Sequence, residues 1–216
     1  MAKISSDTGE ASLSRKTATS SFTLVELLIV IAILAVLAAA VVLVLNPAEL
    51  LAQARDSQRV SDLNSLKKAA SLWIIDNSSD SEGADNTVYI SIPDTSLTCA
   101  NISGLPPLPA LWSYHCVTSA NLRKVDGTGW VPLNLGGNFG GSPLAYLPID
   151  PVNTAASGMF YTYTPGGSFE LTALMEAVKH DASIGDGGGA PGVYQVGTHI
   201  DLTPIVRDKG LVGYWK

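Results

Sequence analysis

Phe22-Thr-Leu-Val-Glu-Leu-Leu-Ile-Val-Ile-Ala-Ile-Leu-Ala-Val-Leu-Ala-Ala-Ala-Val-Val-Leu-Val-Leu45 is one continuous apolar run. Its single charge is Glu26, at the fifth place. At 1.5 Å per residue the run makes a helix roughly 36 Å long, enough to cross a hydrocarbon core of about 30 Å. A carboxylate held near the centre of such a span costs on the order of 3 kcal/mol, so it needs a partner or a task.

The flanks orient the span. Residues 1–21 are polar and rich in Ser and Thr, with Arg15 and Lys16 just ahead of the apolar run. Beyond it no cation occurs until Arg55. The positive-inside rule keeps the N-terminus in the cytoplasm and exports the C-terminal part of the chain. The run is too long for an ordinary secretory signal, and no small-x-small site succeeds it. The plausible processing point is Ser21-Phe22, ahead of the span, so that cleavage leaves the span in the mature chain.

The bulk composition narrows the rest. The chain has 216 residues, room for one modest domain after the span. A net charge of -6 argues against nucleic acid as the primary partner. Mean hydropathy is high at +0.25, and the span accounts for much of it. With 20 Gly, 12 Pro and only 15% charged residues, the exported part suits a turn-rich, β-containing head.

Phe22-Thr23-Leu24-Val25-Glu26 together with Leu27-Leu28-Ile29-Val30-Ile31-Ala32-Ile33-Leu34 resembles the processing and methylation motif of type IV pilins and type II secretion pseudopilins. The resemblance implies an α+β fold, with a long N-terminal helix carrying a head built on a small antiparallel sheet. It implies a leader, 1–21, removed by a prepilin peptidase/methyltransferase that cuts ahead of Phe22 and methylates the new amine. It also implies partners: an assembly platform and other pilin or pseudopilin subunits, in a homopolymer or a mixed filament. Glu26 would then meet the freed amine of its own or a neighbouring subunit. A carboxylate facing an ammonium resolves two desolvation costs together, whereas a lone buried Glu becomes protonated. The alternative is a plain signal anchor that carries a glutamate. The family usually has Gly before the cut, and this chain has Ser21.

The pattern divides the chain into four segments: leader 1–21, membrane or filament-core helix 22–45, amphipathic continuation 46–77 and exported head 78–216. Pro47 should kink or locally melt the helix. That break would permit stretching in a filament, or would simply bend the chain at the membrane surface. From Ala48 to about Asp76, Val60, Leu63, Leu66, Ala70 and Trp73 draw one apolar stripe. Arg55, Asp56, Arg59, Asp62, Lys67 and Lys68 are expected on the other faces, with Asp56 and Arg59 close enough to pair. The stripe is too short for a coiled coil and should pack on the sheet. Asn46 to Leu63 also resembles the post-membrane helix of pilin-like proteins.

In the head, Asn77–Asn86 reads as a loop and Val88–Ile92 as a first strand or edge segment. Long loops fill Pro93–Pro143, with Trp112, Tyr114 and Trp130 as anchors. Phe160–Thr164 and Ser168–Glu176, joined by Pro165-Gly166-Gly167, read as an antiparallel hairpin. Leu147-Pro148-Ile149-Asp150-Pro151 followed by Tyr161-Thr162-Tyr163 resembles the head of the major type II pseudopilin and related pilins. In an exported head Cys99 and Cys116 favour a disulfide, and a metal or redox pair is the alternative.

Other chemistry is thin. Major pseudopilins bind calcium in a C-terminal acidic loop. Asp181, Asp186 and Asp201, around Gly185–Gly192, are the candidate oxygen ligands, although their spacing is not that of an EF-hand. An ordinary Gly-rich turn with solvated carboxylates explains them equally simply. His115, His180 and His199 lack metal spacing, and no catalytic or nucleotide fingerprint is present, so no enzyme is expected. Gly210-Leu-Val-Gly-Tyr-Trp215 resembles the opening strand of concanavalin-like domains. The expectation is therefore a pilus or pilus-like filament subunit, anchored in the cytoplasmic membrane before assembly and at the cell surface or in a periplasmic-type filament after it. The alternatives are a secretion pseudopilin and a membrane-anchored binding protein.

Overall fold

A computed structural model describes residues 22–77, 82–177, 183 and 185–204. Two compact units divide at the junction between Asn46 and Pro47. The first holds helix α1, Leu24–Leu45, and the second begins with helix α2, Pro47–Asp76. The break differs from the expected kink. Pro47 does not sit inside a helix; it opens α2, where its missing N–H costs nothing and its fixed φ suits the first turn. Asn46 alone carries the interruption, in the left-handed region at φ 42° and ψ 78°. Asparagine tolerates that conformation better than most residues.

The head is α2 laid on a five-stranded sheet, an α+β arrangement of the pilin kind. Its strands are β1 (Thr87–Pro93), β2 (Ser113–Val117), β3 (Thr162–Pro165), β4 (Phe169–Leu174) and β5 (Val193–Gly197). Their order is β2-β1-β3-β4-β5. The β1–β2 pair is parallel and every other pair is antiparallel. The expected hairpin is β3–β4, with Tyr163 opposite Leu171. Strand β1 is internal rather than an edge, and β2 and β5 form the edges.

Strand alternation sorts the core into two layers. Tyr89, Tyr161, Tyr163, Phe169, Leu171, Ala173, Tyr194 and Val196 join Leu63, Leu66, Ala69, Ala70 and Trp73 of α2 in the main core. Val88, Ile90, Ile92 and Phe160 pack with the two cysteines in a second cluster. Trp130 lies in the main core and donates its Nε1–H to the Pro148 carbonyl at 2.9 Å. Trp112 and Tyr114 flank the second cluster instead. Cys99 and Cys116 form a disulfide with Cα atoms 5.3 Å apart.

One expectation about α2 fails. The sequence pattern puts Asp56 and Arg59 on solvent-facing sides, yet both are buried, Arg59 completely. The stripe that α2 buries is Ala52, Asp56, Arg59, Leu63, Leu66, Ala69, Ala70 and Trp73, so its first half is ionic. Full burial of a guanidinium is tolerable only because carboxylates from elsewhere in the head converge on it.

Candidate functional site

The candidate assembly site is the start of α1. Thr23 is the N-cap in extended conformation, and its Oγ1 accepts the Glu26 N–H at 3.2 Å. The Leu27 N–H bonds the Thr23 carbonyl, so the first turn is closed. The cap uses the backbone of Glu26 and leaves its carboxylate out of the turn, exposed beside the positive end of the helix dipole. Phe22 precedes the cap and is 72% exposed. Ser21 lies outside the described residues.

From Leu24 to Val41 the helix is apolar on every side, with mean hydropathy 3.0 and no buried residue. A helix that is hydrophobic all round belongs in lipid or among other helices. This one is long and apolar enough to cross a membrane. Its first turn therefore places one carboxylate near a terminus in an otherwise greasy surface.

Comparison with protein families decides how these features are read. Residues 17–42 match the prokaryotic N-terminal methylation motif. The chain carries a methylation motif. With the apolar helix behind it, this motif is consistent with a type IV pilin or pseudopilin precursor and supports membrane anchoring before assembly. The methylation motif suggests a structural protein and implies processing by a prepilin peptidase and assembly with other pilin subunits. No curated protein and no solved structure matches the chain.

In the head, the most organised polar site is one that the sequence pattern does not reveal. Arg59 Nε donates to Asp150 Oδ2 at 2.6 Å, and Nη2 donates to Asp150 Oδ1 at 2.9 Å. Its Nη1 donates to Asp56 Oδ1 at 2.8 Å, and Nη2 also pairs with Glu176 Oε1 at 2.6 Å. Arg55 clamps Glu176 from the solvent side through Nε and Nη2. Asp56 in turn accepts the backbone N–H groups of Glu176 and Ala177. Asp150 accepts those of Val152 and Asn153. Burial pulls the Arg59 pKa down, but hydrogen bonds and charge from Asp150, with Glu176 and Asp56, outweigh it and the net shift is upward. Hydrogen bonds from Arg55, with Arg59 adding to them against the cost of burial, hold the Glu176 carboxyl below the usual glutamate range. The expected Asp56–Arg59 pair is thus real but forms part of a five-residue cluster. The cluster joins α2, the Leu147–Pro151 turn and the chain leaving β4.

The remaining sequence candidates separate. Asp181 and His180 lie outside the described residues. Asp186 accepts the Gly188 N–H through Oδ1 and the Gln195 N–H through Oδ2, both at 2.7 Å. Its carboxylate thereby caps the free edge of β5, a turn function that protects an otherwise open strand. Gly188 permits this, because a Cβ there would stand 2.1 Å from Gln195 Oε1. Asp201 is exposed, and its N–H approaches His199 Nδ1 at 3.4 Å. No group of three or more metal-binding side chains occurs among the described residues. The His115 ring lies tilted against Tyr89 with 4.9 Å between ring centroids, and burial lowers its pKa. The tail 210–215 also lies outside the described residues.

Proposed function

We propose that the chain is a structural subunit of a type IV pilus or pilus-like filament. The leader 1–21 is removed at Ser21-Phe22, the new amine of Phe22 is methylated, and the head stands outside the membrane. Glu26 then pairs with the Phe22 amine of a neighbouring subunit. Leaving the bilayer exchanges lipid for neighbouring helices, so the apolar surface changes little in free energy. Close packing and the ion pair supply direction and axial register.

The observation that carries this reading is Glu26, five residues from the processing junction, in a capped first turn on a helix that is apolar and exposed all round. Glu26→Ala and Glu26→Lys should abolish or strongly reduce filament yield while the head keeps its fold. The checks are electron microscopy of sheared filaments and circular dichroism of the detergent-solubilised chain. Normal yield from both variants contradicts the reading. A pseudopilin that builds a short secretion filament is the second reading, favoured by the Leu147–Pro151 turn. Loss of secretion without visible filaments on deleting the chain would select it. A calcium role for Asp181, Asp186 and Asp201 is a further proposal, tested by calcium titration of melting temperature.

A further inference from the structure

Beside α2 the head has a cleft that the ionic cluster does not use. It holds about 300 Å³, the small end of the range for ligand pockets. One wall is α2, through Asp62 and Ser65. The other is the loop that leads into the Leu147–Pro151 turn, through Pro143, Leu144, Tyr146 and Pro148. A polar wall thus stands across from an apolar one.

Asp62 is half-buried. Its Oδ1 accepts the Gln58 Nε2 group at 2.7 Å, and Oδ2 accepts the Tyr161 hydroxyl at 2.9 Å. A carboxylate has room for about four donors, so acceptor capacity stays open. Burial raises its pKa, against the hydrogen bonds from Tyr161 and Gln58 and the charge of Arg123. No salt bridge reaches it among the described residues. Arg123 stands on the same strip of loop. Its guanidinium lies over the Tyr146 ring, 4.0 Å from the centroid, and Nε donates to the Leu147 carbonyl at 3.1 Å. Ala145 lines both the cleft and the neighbouring depression that Arg123 borders. Tyr146 itself is 57% exposed.

Charge selects the ligand class. An anion gains from Arg123 and is repelled by Asp62, and a cation meets the reverse. A neutral molecule with several hydroxyls gains from both, donating to Asp62 and accepting from Arg123. It also needs an apolar side to lie on Pro143, Leu144 and Pro148. A pyranose ring has both, with hydroxyls at its rim and C–H groups on its face, which an aromatic ring attracts.

We propose that the cleft bounded by Asp62, Ser65, Leu144, Tyr146 and Pro148 binds one ring of a neutral saccharide. Asp62 accepts from its hydroxyls, Arg123 donates to them, and Tyr146 is the aromatic wall. The site lies wholly in the head and stands apart from the filament reading.

The test is saturation-transfer difference NMR on the full chain in lauryldimethylamine oxide micelles, which contain no sugar. The probes are the methyl glycosides of glucose, galactose, mannose and N-acetylglucosamine, with n-butylamine and acetate as charged comparisons. At least one glycoside should receive saturation on its ring protons. Tyr146→Ala should reduce that transfer several-fold and Tyr146→Phe should keep it, with circular dichroism showing an intact head in both. Asp62→Asn, which retains an acceptor for Tyr161, should also weaken it several-fold. No transfer to any of the glycosides overturns the proposal. Transfer that survives Tyr146→Ala puts the sugar elsewhere and overturns the site. Stronger transfer to n-butylamine or acetate than to every glycoside overturns the neutral ligand. None of these outcomes bears on leader cleavage or filament yield, which test the filament reading separately.

Discussion

Arg59 shows how a single residue can be misread from its neighbours. On a helix that alternates charge and aliphatic side chains, Arg55, Asp56 and Arg59 look like a solvated face. The pairing of Asp56 with Arg59 was legible, because residues three apart on a helix meet. Full burial was not, because it depends on Asp150, 91 residues further along the chain, and on Glu176, further still. The Leu-Pro-x-Asp-Pro element was visible as a motif, and the structure supplies its physical purpose: both carboxylate oxygens of Asp150 take the Nε–Nη2 edge of the Arg59 guanidinium. Removing that guanidinium leaves Asp56, Asp150 and Glu176 facing one another with only Arg55 at the rim. Arg59→Ala should therefore destabilise the head by about 3–5 kcal/mol, the range for breaking a buried pair. Denaturant unfolding at neutral pH checks this, and a loss below about 1 kcal/mol would contradict it. The same scan in acid has a definite sign. Glu176 titrates lower folded than unfolded, so its contribution is complete above its ordinary pKa of 4.5 and disappears as pH falls through the folded value.

At the scale of elements, legibility tracked periodicity. The 3.6-residue stripe on α2 and the Pro165-Gly166-Gly167 turn between alternating strands were readable, and the structure has both. Strands β2 and β5 were not. Ser113–Val117 is short, and its exposed-to-buried gradient gives no clean alternation. Val193–Gly197 hides behind a glycine-rich run, and its outer edge is satisfied by the side chain of Asp186 rather than by another strand. The proline signalled a break at Asn46-Pro47, and the helix breaks there, with Asn46 absorbing the interruption and Pro47 starting anew. The disulfide was legible once export was inferred. Cys116 sits on the edge strand β2, and Cys99 lies in the loop that folds back on it, where the Cys116 N–H bonds the Leu97 carbonyl. Reduction should lower head stability by about 3 kcal/mol in the chain-entropy model. Denaturant midpoints with and without reductant measure it, and unchanged midpoints would show that the second core cluster holds this loop without the cross-link.

For the whole molecule, the apolar helix and its one acid set the constraints. The side chains of α1 are exposed along Leu24–Val41. Lipid can cover that surface before assembly and sister helices afterwards, and both fit a chain that keeps its span after processing. The head can fold on its own core because the ionic cluster and both apolar layers draw only on residues after Asn46. The N-terminal motif was fully legible, since a charge inside an apolar run has so few physical explanations. Specific subunit contacts were not legible, because they depend on which surface side chains the fold leaves uncovered. The central claim is that Phe22 becomes a free, methylated amine for Glu26 to meet. Intact mass and N-terminal sequencing of the protein from cells test it most directly. The account predicts a chain that begins at N-methylated Phe22 and lacks residues 1–21; a protein that retains Met1 contradicts it.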